Sequence, residues 1–264
     1  MSYTVIALLA LTGAASGILA GLLGVGGGLV IVPALAAILP LVGVPASHVM
    51  HMAVATSLAT ILLTSLSSVV AHHRHGGVLW PVFWKLGPGI AVGAALGAQV
   101  ADLLPASTLR LVFAVFVFVV AAQMGFGLQP TARRGLPGAA ATTGTGMVFG
   151  CISGVIGIGG GSMVVPFLSW CSVPIPKAVG TSAACGLPIA LGGALGAMVA
   201  GADTANLPAY STGYVYWPAL VVIALVSMAL APFGANLSHR LPVKVLKKIF
   251  ATFLTLVGAK MLLF

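Results

Sequence analysis

Two stretches of this sequence carry glycine in a pattern that does chemistry through the backbone. Gly24-Val25-Gly26-Gly27-Gly28 and Gly157-Ile158-Gly159-Gly160-Gly161 each lead into an apolar run. Consecutive glycines reach conformations closed to other residues and leave their N–H groups accessible. Where such a run opens a helix, unsatisfied N–H groups and the positive end of the helix dipole attract an anion. Gly26, Gly27, Gly28, Gly159, Gly160 and Gly161 are therefore candidate substrate-binding residues. The competing role is close helix packing, which Gly17 and Gly21, at x-x-x spacing, also suit. A soluble nucleotide-binding loop is rejected: no Asp or Glu stands near either run, and the chain has no GK[ST] phosphate loop.

Hydroxyl and amide side chains recur at matching places. Thr56-Ser57 answers Thr181-Ser182, and Gln99 answers Asn236. The hydroxyls of Thr56, Ser57, Thr181 and Ser182 are either ligand donors or back-bonded to their own helix. Gln99 and Asn236 are either donors to a ligand or interhelical glue, because an amide inside a membrane is costly unless paired. His72-His73-Arg74-His75 lacks an accompanying carboxylate or Cys, so a loop at the membrane interface explains it better than a metal. His51 titrates near neutral pH and is a candidate for proton coupling. Asp102 and Asp203, the only acids, fall at helix ends and offer no carboxylate relay. Cys151, Cys171 and Cys185 have neither zinc-ligand spacing nor a disulfide pattern.

The elements that must position these groups are membrane helices. Of 264 residues, 60% are hydrophobic and 5% charged, too few charges for a soluble surface. Residues 1–73 and 135–176 carry no charge. The net charge of +9 sits in short segments between apolar spans, which excludes nucleic acid as a partner and marks cytoplasmic loops.

Residues 15–35, ASGILAGLLGVGGGLVIVPAL, repeat as 148–168, VFGCISGVIGIGGGSMVVPFL. The correspondence continues through Gly97-Ala98-Gln99 with Pro105 and Gly234-Ala235-Asn236 with Pro242, and through Arg110 with Phe113 and Lys247 with Phe250. The chain reads as two homologous halves, 1–128 and 138–264, joined by the linker 129–137. Two-fold internal repeats are a hallmark of secondary transporters.

Residues 5–42 as one helix would run roughly 60 Å, about twice the hydrocarbon thickness. The glycine runs are the breaks. Helices are then expected at about 4–23, 29–43, 49–71, 80–102 and 106–128, and at 138–156, 162–173, 177–201, 214–236 and 242–263. With ten crossings, Arg74, Lys85, Arg133, Arg134, Lys177, Arg240, Lys244, Lys247 and Lys248 share the cytoplasmic side, against Arg110 and Lys260 outside. An eight-crossing count would split the basic residues almost evenly. The fold expected is an all-α polytopic membrane protein, its halves inverted repeats of about five helical elements each, with both termini outside.

The paired GxGGGxxxVPxL motifs, the two-half organisation, the length and the composition resemble the sulfite exporter TauE/SafE family. The resemblance covers nearly the whole chain. It implies movement of sulfur-containing anions, such as sulfite and organosulfonates, across the bacterial inner membrane. The expected partners are a small anionic substrate and the lipid bilayer; no cofactor or metal is called for, and a homo-oligomer is allowed. An intramembrane enzyme lacks a nucleophile–base pair or HExxH. A scaffold or assembly partner has little need of duplicated glycine breaks.

Overall fold

A computed structural model describes residues 2–23, 27–126, 135–238 and 243–263, with side chains except at 22–23, 232, 234–238, 243–247, 249 and 263. Gly26 and the linker segment 127–134 lie outside the described residues, as does the Asn236 side chain.

Among the described residues ten α-helices follow one another: α1 (Tyr3–Leu23), α2 (Gly28–Ile38), α3 (Val49–Arg74), α4 (Trp80–Asp102), α5 (Ala106–Gly125), α6 (Ala139–Ile156), α7 (Gly161–Trp170), α8 (Ile175–Ala200), α9 (Trp217–Ser238) and α10 (Val243–Leu263). Among the described residues, five are long and apolar enough to cross a membrane: those in α1, α3, α5, α6 and α8. Leu111, Val115 and Val119 on α5 and Leu195 and Val199 on α8 are exposed. In water such faces would aggregate; in a bilayer they meet lipid. The protein is an all-α, multi-pass membrane protein.

Three elements differ from expectation. The second helix ends at Ile38 and continues as a 3-10 turn, Leu39–Val42, closed by Gly43 at φ 86°. The seventh ends at Trp170, where Ser172 adopts φ 63° and Pro174 follows. The ninth starts at Trp217, because β1 (Ser211–Thr212) and β2 (Val215–Tyr216) form a small antiparallel hairpin before it. Its Tyr214, Val215 and Tyr216 are buried, so the hairpin plugs one end of the bundle.

Small residues set the packing. A Cβ on Gly146, Gly150 or Gly154 of α6 would strike the carbonyl of Leu86, Ile90 or Ala94 of α4, and one on Gly89, Gly93 or Gly97 of α4 would strike that of Thr143, Met147 or Cys151 of α6. Only glycine lets these two backbones touch. Gly13 and Gly17 of α1 meet Ile223 and Ser227 of α9 in the same way. Among the most extensive helix contacts, α4 lies on α6 as α9 lies on α1, and α3 meets α8 and α5 meets α10; α4 also lies on α8, more extensively than α9 on α3.

Candidate functional site

The glycine runs end α1 and α6 and start the short helices α2 and α7. With 11 and 10 residues, these helices reach only about 16 and 15 Å, half of the hydrocarbon thickness. Gly157 caps α6 at φ 81°, and Gly27 precedes α2 at φ 74°, both left-handed positions that favour glycine. Gly160, before α7, is right-handed at φ −62°.

Both short helices begin halfway along their long neighbours. A Cβ on Gly28 would lie 3.1 Å from Ile61 Cδ1, near the middle of the 26-residue α3. One on Gly160 would lie 3.4 Å from the Ser182 carbonyl and 3.2 Å from Ile189 Cδ1, in the first half and at the middle of the 26-residue α8. The two runs also meet: the Gly28 position is 2.7 Å from the Gly157 carbonyl and 3.0 Å from Ile158 Cα. Gly159, Gly160 and Gly161 are buried.

The two helix starts differ in their free donors. Val30 and Ile31 N–H donate to the Gly27 carbonyl, and Met163 and Val164 N–H to the Gly160 carbonyl. The N–H groups ahead of these have no acceptor inside their own helix. At α2 the surrounding hydroxyl is used, since Ser57 Oγ donates to the Gly157 carbonyl at 2.8 Å. At α7 the corresponding Ser182 hydroxyl is buried with no hydrogen-bond partner, and so are those of Ser162 in the first turn and Ser153 in α6. A buried unpaired hydroxyl is costly, so those of Ser162 and Ser182 at this helix start mark a place able to receive an acceptor.

The remaining predicted residues hold backbone. Thr56 Oγ1 accepts the Tyr216 N–H at 3.0 Å, and Thr181 Oγ1 accepts the Leu79 N–H at 2.9 Å. Tyr216 and Leu79 stand immediately before α9 and α4, so each threonine ties down the entry to a helix in the opposite half. The signal was present in the sequence as the dipeptides Trp80-Pro81 and Trp217-Pro218. Gln99 Nε2 donates to the Gly196 carbonyl at 2.9 Å, bridging α4 to α8. In the histidine cluster, Trp80 Nε1 donates to His73 Nδ1 and His75 Nδ1 donates to the Ala71 carbonyl.

A second group, of which the sequence singled out only His51, lies where α3, α4 and the hairpin meet. Tyr214 OH donates to Asp102 Oδ1 at 2.6 Å, and Thr204 Oγ1 donates to the Tyr214 oxygen at 3.2 Å. Burial, then the hydrogen bond to Asp102, raises the Tyr214 phenol above its usual range, so it stays a proton donor. The His51 ring lies 5.2 Å from the Tyr214 ring, centre to centre. Asp102 thus belongs to a polar cluster, although its place at a helix end made it look solitary.

Helices broken inside the bundle, glycine-opened starts at mid-depth and lipid-facing flanks define a polytopic membrane protein of the discontinuous-helix kind. The chain belongs to the sulfite exporter TauE/SafE family, whose sequence pattern matches residues 9–261. It is 37% identical to a "Probable membrane transporter protein" of Haemophilus influenzae, over 99% of each chain. A protein of the same description from Methanocaldococcus jannaschii is 26% identical over 97% of this chain and 95% of its own. One from Bacillus subtilis, YdhB, is 28% identical over 81% and 84%. No solved structure matches the chain. The protein is a membrane transporter of this family.

Proposed function

We propose that this transporter exports a small sulfur-containing anion, sulfite or an organosulfonate, across the inner membrane and binds it at the start of α7. The observation that carries the reading is the buried Ser182 hydroxyl, without a hydrogen-bond partner, on the residue that packs against Gly160. Backbone N–H groups of Gly161 and Ser162, the helix dipole of roughly half an elementary charge, and the hydroxyls of Ser162 and Ser182 supply donors without a fixed cation. A sulfonyl group presents several acceptor oxygens to such a set. Membership of the sulfite exporter TauE/SafE family supports the same anion class.

The reciprocal helix contacts support two homologous halves. With an odd number of crossings in each half, the halves are inverted repeats, and the two short helices approach the middle of the membrane from opposite faces. The first start, packed on Gly157 and Ile158, then serves as a wall of the site and the second as its anion-binding end.

Purified protein in liposomes tests the reading with sulfite, taurine, sulfoacetate and sulfate. Flux of sulfite or a sulfonate above that of protein-free liposomes is expected, with Ser182→Ala reducing it at unchanged protein stability. Absence of flux for all four anions in either orientation would remove the proposal.

A further inference from the structure

His51 lies in the first turn of α3 and is only 8% exposed. Its Nε2 is 3.0 Å from the Leu104 carbonyl. A carbonyl only accepts, so Nε2 carries the proton and Nδ1 is the basic nitrogen of a neutral ring. That Nδ1 is buried and makes no hydrogen bond of good geometry, although the Ser47 backbone also stands close to the ring. His51 also lines a cavity of about 10 Å³, together with Asp102, Tyr214, Val54, Gly154 and small alanines. This is the room one water needs, with polar groups on its wall to bind it. A basic nitrogen, a carboxylate and a phenol around a water-sized space form a place where a proton can arrive, stay and leave.

We propose that His51, with Asp102 and Tyr214, is a proton-binding site that couples anion movement to the proton gradient. A hydronium ion reaching the cavity gives its proton to His51 Nδ1 and leaves as water; release is the reverse step. The imidazolium so formed has its counter-charge in Asp102, whose Oδ1 is held by the Tyr214 hydroxyl. The other titratable group brought to the ring is His48, 6.4 Å away between ring centres. Arg110, Cys151, Lys177, Cys185 and Tyr216, on further elements packed against α3, do not line the cavity.

The cavity wall connects this site to the glycine turn. Gly154 lies one residue beyond Ser153, whose carbonyl holds the Gly157 and Ile158 N–H groups. Val54, also on the wall, lies against Gly157, whose Cβ position would be 2.9 Å from Val54 Cα. A positive charge at His51 therefore acts on the segment that leads into α7 and favours an anion there. Proton and anion are bound together and carried together, so an anion formed in the cytoplasm leaves when its own outward gradient exceeds the opposing pH gradient.

The inference rests on the transport reading, and the test separates the two. Liposomes containing the protein are assayed for exchange of labelled sulfite, taurine, sulfoacetate and sulfate without a gradient, then for accumulation driven by a pH gradient with the membrane potential clamped. Exchange measures transport alone; accumulation measures coupling. Wild type should accumulate a monovalent anion about tenfold per pH unit on the alkaline side, the limit for one proton per anion. His51→Gln should lose accumulation while exchange, weakened without the positive charge, stays measurable, and Asp102→Asn and Tyr214→Phe should reduce accumulation severalfold. No exchange by wild type removes the transport reading, and the inference with it. Exchange without a response to the pH gradient overturns the coupling site alone, as does full accumulation by His51→Gln. Loss of exchange in all three variants, each still monodisperse in detergent, would make the cluster essential to anion transport itself rather than to coupling and also overturn it.

Discussion

Ser57 Oγ donates a 2.8 Å hydrogen bond to the carbonyl of Gly157, one hundred positions along the chain. The bond ties α3 of the first half to the glycine turn of the second, at the level where α2 begins. Its counterpart in the other half, Ser182, has no partner. Residues that answer one another in the sequence have thus taken different work: one closes a turn and the other keeps a donor free.

Ser57→Ala is expected to leave the buried Gly157 carbonyl unpaired and to cost about 1–3 kcal/mol. Thermal unfolding in detergent should show a clear loss of stability. Ser182→Ala removes a hydroxyl that bonds nothing and should leave the melting temperature near that of wild type while weakening anion binding. Equal destabilisation by both changes would contradict the asymmetry.

Thr56 and Thr181 accept the N–H groups of Tyr216 and Leu79. Val keeps the shape of Thr and removes the acceptor, leaving a buried donor unpaired at about 1–3 kcal/mol per site. The double change Thr56→Val with Thr181→Val should therefore lower stability more than either single change, nearly additively for well-separated sites. A stable double variant with weakened anion binding would instead make these hydroxyls ligands.

Gly27 and Gly160 should respond differently to alanine. Gly27 is left-handed at φ 74°, so Gly27→Ala carries about 1–2 kcal/mol of backbone strain and should lower stability. Gly160 is right-handed, and its Cβ would sit 3.2–3.4 Å from neighbours that include the Ser182 carbonyl. Gly160→Ala should fold, with reduced transport because a methyl group narrows the anion's approach. Normal transport by a folded Gly160→Ala protein would take the second glycine run out of the site.

The α4–α6 contact has no space for side chains at its glycines. Gly93→Leu or Gly150→Leu would drive a side chain into the opposite backbone and should abolish folded protein in membranes. Gly144 faces open space, so Gly144→Leu should express normally. Fluorescence-detected size exclusion of solubilised membranes reads both outcomes.

The charge pattern predicts both termini outside. Cysteine placed at Ser2 or Leu262, in a background lacking Cys151, Cys171 and Cys185, should react with an impermeant thiol reagent in intact cells. Cysteine at His75 should react only after the membrane is opened. Labelling of both termini solely from the cytoplasm would refute five crossings per half.

Much of the architecture was readable because a bilayer makes the rules local. A membrane-length apolar run must be a helix, an apolar run too long for the membrane must break, most readily at its glycines, and basic residues mark one side. All ten helices, the breaks before Gly28 and Gly161, and membership of the family follow from such local features and their repetition. The sequence alone could not assign the hydroxyls. Whether Ser57 or Ser182 keeps a free donor, whether Thr56 meets a ligand or Tyr216, and whether Asp102 stands alone or joins His51 and Tyr214 depend on which backbone groups the other half brings within 3 Å. Partners 100 to 160 positions apart leave no periodic trace. Only the close approach of helices permitted by their glycines selects them, and tertiary packing alone decides that approach.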